Sequence, residues 1–133
     1  LAVVAPGIDS GKLTAASVYD DVPYKNYKNY NYFKGLLTIR FAIESSQNIP
    51  MLKAIQTVGV ENSLKFLKNL GFSHLDDERD NNIGIALGGL TNGATPLEMA
   101  AAYGAIANDG VYIKPTFYTK VESASGKTIL EKW

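Results

Sequence analysis

The sequence predicts a mainly α-helical chain that closes on a C-terminal β-hairpin, on three observations. Apolar-periodic runs stop at Gly59 and Gly71, where a left-handed glycine cap ends a helix. Thr95-Pro96-Leu97-Glu98 is a complete helix-start signal, with threonine as cap, proline in the first turn and Glu98 reaching back. After Gly110 the apolar period moves toward two across Tyr112, Ile113, Phe117, Tyr118 and Val121. Ser123-Ala124-Ser125-Gly126 then reads as a turn before the returning strand Thr128-Ile129-Leu130.

The bulk numbers suit one domain. A chain of 133 residues can bury a real core, and a 46% hydrophobic fraction excludes wholesale disorder. Thirteen basic residues balance thirteen acidic ones, which argues against a general nucleic-acid or membrane-surface role. There is no cysteine, so disulfides and thiolate metal sites are excluded. No apolar run approaches the roughly 18 residues of a membrane span. The chain starts at Leu1 without an initiator methionine and reads as part of a longer polypeptide, so missing targeting signals carry no information.

In chain order, Leu1–Asp9 is expected to be the tail of a helix stopped by Gly11, with Pro6 kinking it or lying in its first turn. Residues 12–23 read as a loop with a short extended piece at Ser17-Val18-Tyr19. The run from Tyr24 to Phe33 is low in complexity and rich in Tyr, Asn and Lys. A stacking surface for single-stranded nucleic acid is one reading of it. The preferred reading is an ordered loop whose rings pack on the domain while Asn and Lys face water, since the chain as a whole is neutral.

Thr38 is the expected cap of a helix running through Ser45. A second helix is expected from Pro50 or Met51 to Val58, and a third from Glu61 to Leu70. His74, the sole histidine, reads as a plain loop residue. Asp76, Asp77, Glu78 and Asp80 lack the glycine and glutamate of a calcium loop and read as a solvated loop. Ile83–Gly93 is apolar and glycine-rich but lacks dinucleotide-binding spacing, and Gly126-Lys127-Thr128 lacks the upstream glycine of a phosphate loop. The helix after Thr95 is expected to reach about Asn108. Its small residues would let it be buried on most faces.

One corner stands out. An apolar run stops at Ser45-Ser46, and Pro50 opens the next, so Ser45–Ile49 is expected to be a short non-helical joint. Side chains two apart in an extended joint share a side, which sets the Ser46 hydroxyl beside the Asn48 carboxamide. Alone, such a pair is explained by helix capping.

The rest of the chain gives the corner a second meaning. Ala86-Leu87-Gly88-Gly89-Leu90-Thr91-Asn92-Gly93-Ala94-Thr95-Pro96-Leu97-Glu98-Met99-Ala100-Ala101-Ala102-Tyr103, continued by Ala107-Asn108-Asp109-Gly110-Val111-Tyr112-Ile113-Lys114-Pro115, resembles the signature of bifunctional (class A) penicillin-binding proteins. Pro23-Tyr24-Lys25-Asn26-Tyr27 through Gly35, Thr38-Ile39-Arg40 and Ser46-Gln47-Asn48-Ile49-Pro50 follow in that family's order, so the resemblance covers nearly the whole chain. It implies the helical side, with the start of the sheet, of the α/β serine penicillin-recognising (β-lactamase-like) transpeptidase fold.

Of that family's three motifs, Ser-x-x-Lys, Ser-Asp-Asn and Lys-Thr-Gly, the resemblance makes Ser46-Gln47-Asn48 the second. Ser46 and Asn48 would then be catalytic: Ser46 would relay a proton to the leaving nitrogen, and Asn48 would hold the substrate amide and orient the motif lysine. Gln47 and Asn48 would be the substrate-binding positions, with Gln47 either lining the cleft or facing away. Neither cofactor nor metal is implied. The implied partners are peptidoglycan stem peptides, β-lactams and the remainder of the domain, at the outer face of a bacterial cytoplasmic membrane.

The sequence departs from the family in two places. No Ser-x-x-Lys occurs near its start, and Lys127-Thr128 is followed by Ile129. Residues 1–133 are therefore expected to be a partial transpeptidase domain, with the nucleophile segment before residue 1 and the Lys-Thr-Gly strand after residue 133, and to be inert alone. A non-catalytic module that binds peptidoglycan or a protein is the alternative.

Overall fold

The computed structural model describes residues 1–132. Its elements are α1 (Val4–Asp9), β1 (Val18–Asp21), β2 (Gly35–Thr38), α2 (Ile39–Glu44), α3 (Asn48–Val58), α4 (Val60–Asn69), a 3-10 turn (Ile83–Leu87), α5 (Pro96–Ala107), β3 (Lys120–Glu122) and β4 (Thr128–Glu131). Helices dominate, and the C-terminal hairpin forms as expected, with a bulge between Val121 and Glu122.

α3 is the axis of the molecule. Ile49, Leu52, Ile55 and Val58 recur every third residue along it and are all 0–1% exposed. Each such side chain contributes roughly 1.5–3 kcal/mol through burial. Around α3 pack α1, α2, α4, β1 and the 3-10 turn. Val3, Leu13, Ile39, Leu64 and Ile85 complete this core, while Leu67, Leu70 and Phe72 form a second cluster with Ala102 and Ala105 of α5. α3 ends at Gly59 and α4 just before Gly71, both glycines at positive φ. Pro6 lies in the first turn of α1, where its missing N–H costs no bond.

One expectation is extended and three need correction in whole or in part. The extended piece near Ser17 is one strand of a sheet: β1 pairs antiparallel with β2, Val18 facing Thr38 and Asp21 facing Gly35. β2 carries no alternating signal because Leu36 and Leu37 are both apolar, although only Leu37 is buried. The Tyr24–Phe33 loop follows its expectation only in its first part, where Tyr24 and Tyr27 are half-buried and Lys25, Asn26 and Lys28 are exposed. Further on, Tyr30 is 99% and Tyr32 71% exposed, while Asn29 turns inward and the exposed Asn31 accepts a bond from Gln47. The acidic loop is not solvated throughout, because Asp80 is completely buried. α5 buries only Ala102 and Ala105 and leaves Leu97, Met99, Tyr103 and Ile106 exposed.

The capping box of α5 forms as read. The Glu98 N–H donates to Thr95 Oγ1 at 3.1 Å, and the Thr95 N–H and hydroxyl donate back to Glu98 Oε1. Glu98 also accepts the Ser73 N–H at 2.8 Å and meets His74 Nδ1, which ties α5 to the loop after α4. The Ser73 N–H holds the Glu98 carboxyl below its ordinary pKa; burial opposes this, and Thr95 and His74 reinforce it. Thr95→Ala is expected to cost about 1 kcal/mol, the usual loss for a helix cap. Denaturant titration at neutral pH checks this; a loss under about 0.3 kcal/mol would mean that the box contributes nothing.

Candidate functional site

The site begins with how α2 ends. Ser45 closes the helix, its hydroxyl donating to the Phe41 carbonyl at 2.6 Å. The Ser46 N–H then bonds the Ile43 carbonyl at 3.1 Å and the Gln47 N–H bonds the Ala42 carbonyl at 2.9 Å. These two bonds are the Schellman pattern, which needs a left-handed residue at its first position past the cap, usually glycine. Here that residue is Ser46, at φ +54°. A serine costs something in this conformation, on the order of 1 kcal/mol, so its presence there calls for a role for the hydroxyl.

The chain leaves this turn straight into α3, with only Gln47 between Ser46 and its first residue. The joint is thus shorter than read: α3 starts at Asn48 and Pro50 is its third residue. Proline fits because the N–H groups of a helix's first turn have no partner within the helix. The side chains of Ser46 and Asn48 are therefore not set by strand-like alternation, yet both line one cavity of about 430 Å³. Its walls come from Val3 and Val4, from Ala42 and Ile43 of α2, from Met51 of α3, from Ala86 and Leu87 of the 3-10 turn and from Tyr103 of α5. Ser46 is exposed to it, and among the described residues no hydrogen bond engages its hydroxyl. Asn48 Nδ2 donates to the Lys28 carbonyl at 2.9 Å.

Gln47 differs. It is 1% exposed, and its Nε2 donates to Asn31 Oδ1 at 2.9 Å and to the Ser45 carbonyl at 3.3 Å. Its Oε1 is buried without a partner. Gln47 nevertheless lines the same cavity as Ser46 and Asn48, while its Nε2 fastens the corner to the Tyr/Asn/Lys loop. His74 sits on Glu98, away from this cavity, and no group of three or more His, Cys, Asp or Glu positioned to hold a metal occurs among the described residues.

Sequence reasoning missed the loop's part in the site. Asn29 Oδ1 accepts the N–H groups of Asn48 and Ile49, at 2.9 and 3.1 Å, and so caps α3 from nineteen residues before its first residue. The only signal was three asparagines among tyrosines and lysines, a pattern that does not say which amide turns inward.

Chemically the cavity offers a free hydroxyl and a carboxamide at the lip of an aliphatic wall, an arrangement suited to holding a peptide-like amide and passing a proton beside it. A family model described as the penicillin binding protein transpeptidase domain matches residues 1–132. The chain belongs to the penicillin-binding protein transpeptidase family.

Relatives agree with that placement. The chain is 31% identical over 145 residues to penicillin-binding protein 1A of Clostridium botulinum, covering 98% of this chain and 18% of the relative. It is 36% identical over 135 residues to penicillin-binding protein 4 of Bacillus subtilis, covering 96% and 21%. The chain thus spans about a fifth of the length of these relatives. Among solved structures, penicillin-binding protein 1A from Haemophilus influenzae superposes with a TM-score of 0.73 at 27% identity, over 98% of this chain and 21% of that one. The D,D-transpeptidase domain of a peptidoglycan glycosyltransferase from Eggerthella lenta gives 0.77 at 21% identity, covering 99% and 40%, which supports the fold. The fold is therefore a piece of the penicillin-binding protein transpeptidase domain, as the resemblance implied.

Proposed function

We propose that this chain supplies the second-motif side of a serine-type D,D-transpeptidase site in a peptidoglycan-cross-linking enzyme at the outer face of a bacterial cytoplasmic membrane. The observation that carries the reading is the convergence of Ser46 and Asn48 on one cavity in a chain matched end to end by the transpeptidase family. In this reading a serine of a Ser-x-x-Lys segment, contributed by polypeptide outside residues 1–133, attacks the carbonyl between the two terminal D-alanines of a stem peptide. The C–N bond breaks, D-alanine leaves as an amine, and an ester to the serine remains. Ser46 passes the proton that the departing nitrogen needs. Asn48 holds the donor peptide's amide while the amine of a second stem peptide resolves the ester. A β-lactam presents the same amide and stops at the ester.

Acylation needs nucleophile, base and oxyanion donors within a narrow geometric tolerance. Fluorescent penicillin is therefore expected to label the full-length protein on serine and to leave the isolated 133-residue chain unlabelled. Labelling of the isolated chain would refute its proposed inertness. No labelling of the folded full-length protein would refute the enzymatic reading in favour of a binding module.

A further inference from the structure

Resting on the reading of Ser46 and Asn48 as part of the reacting site, we infer that Asn29 is a positioning residue for transpeptidation, with Asp21 fixing the direction of its amide. The corner that carries the site has no cap of its own, since the Gln47 side chain makes no capping bond to α3. The helix instead takes its cap from Asn29 Oδ1, which accepts the N–H of Asn48 itself and of Ile49. A carboxamide could face the helix with either end, and only its oxygen can accept. Asp21 settles the choice. It is fully buried, and its two carboxyl oxygens accept the Asn29 Nδ2 amide at 2.7 Å and the Lys34 N–H at 3.1 Å. The acceptors on Asp21 thus hold the donor end of Asn29, leaving its oxygen for Asn48.

Two further bonds come from the same loop, from Asn48 Nδ2 to the Lys28 carbonyl and from Gln47 Nε2 to Asn31 Oδ1. The corner is therefore bound on α2's side by the Schellman bonds and on α3's side by this loop. Without Asn29, Asn48 loses the bond to its own N–H, and the left-handed Ser46 becomes a hinge. Asn29 touches no substrate in this arrangement; it acts through the placement of Asn48 and Ser46.

The test measures penicillin acylation by the full-length protein, separating the rate at saturating penicillin from its affinity. Asn29→Ala is expected to slow the saturated rate about tenfold to a hundredfold, the penalty for a small misplacement of reacting groups, with affinity nearly unchanged. Asp21→Asn sets two donors against each other and is expected to slow it similarly. The exchanged pair, Asp21→Asn with Asn29→Asp, rebuilds every hydrogen bond. The carboxylate at position 29 accepts both helix N–H groups, and the amide at position 21 donates to it while accepting from Lys34. Its rate is expected to return to within about threefold of the parent's, a non-additivity that independent sites do not show.

An exchanged pair that folds like the parent but stays slow overturns the inference. So does an Asn29→Ala variant with the parent's rate while Ser46→Ala is slow, a result that leaves the reading of the site standing. A parent-like rate in Ser46→Ala would instead defeat that reading. Loss of fold in Asn29→Ala shifts the decision to the exchanged pair, where the same two outcomes apply.

Discussion

Ser46→Ala in the full-length protein is expected to lower both β-lactam acylation and cross-linking by about 10²–10⁴-fold, the range over which losing a positioned proton-transfer group is felt. Folding should barely change. The bonds that build the corner are the backbone N–H groups of Ser46 and Gln47, which the substitution leaves in place. The side chain itself is exposed, and such changes usually stay within about 0.5 kcal/mol.

Ser46→Gly makes the test sharper. Glycine is the residue that the left-handed position prefers, so this variant should be as stable as the parent or more so, by up to about 1 kcal/mol. It should be as slow as the alanine variant. Stability and turnover would then move in opposite directions at a single residue, which a purely structural serine cannot produce. Saturated acylation rates and denaturant midpoints of both variants supply the measurement. A glycine variant that keeps the parent's rate would show that the turn alone matters and that the hydroxyl does nothing.

The same residue shows what can be read from sequence. That two helices meet near Ser46 follows from local chemistry: Thr38 caps α2, and a proline marks the first turn of α3. The boundaries of α4 and α5 were legible for the same reason, since glycine stops and a capping box act within a few residues of themselves. The left-handed turn at Ser46 was not legible, because only glycine announces that conformation. Nor was the α3 cap, because its acceptor lies nineteen residues upstream in a loop whose asparagines were expected to face water. β2 failed for a related reason, as two adjacent leucines give no alternation and their burial is decided by what lies across the sheet. The face of α5 left exposed was equally hidden, since small residues are compatible with burial but do not require it. The family pattern brought Ser46 and Asn48 into view together; their shared cavity depends on contacts from Val3, Leu87 and Tyr103, which no local pattern connects.

Asp80→Ala is expected to be among the most destabilising single changes in the chain, at about 3–5 kcal/mol. Asp80 is one of four acidic residues within five positions, and the only one of them that is fully buried. Its carboxylate accepts the Asp76 N–H at 2.9 Å and both the N–H and the hydroxyl of Thr91, each at 2.7 Å. Truncation leaves three donors without an acceptor, and a hydrogen bond to a charged group is worth about 1.5–3 kcal/mol net.

The pH dependence follows from the same geometry. Burial raises the Asp80 carboxyl, but the bonds from Asp76 and Thr91 outweigh it and hold its pKa below the ordinary value. A group depressed in the folded state stabilises fully above its unfolded pKa, and the stability is lost as pH falls through the lower folded value. The parent should therefore lose stability on acidification, and Asp80→Ala should lose less, because one contributor is already gone. Urea melts at neutral and acid pH decide the matter: a cost below about 1 kcal/mol, or an unchanged acid slope, would show that the buried bonds are not what holds this loop.

The consequence reaches the site. Asp80 joins the acidic loop to Thr91 across the intervening 3-10 turn, and that turn gives the cavity Ala86 and Leu87. If the joint holds the turn in place, Asp80→Asn, which keeps the shape and loses the charge, should lower acylation by the full-length protein by more than its lost stability explains. Equal losses in the two would make Asp80 a residue of the fold alone.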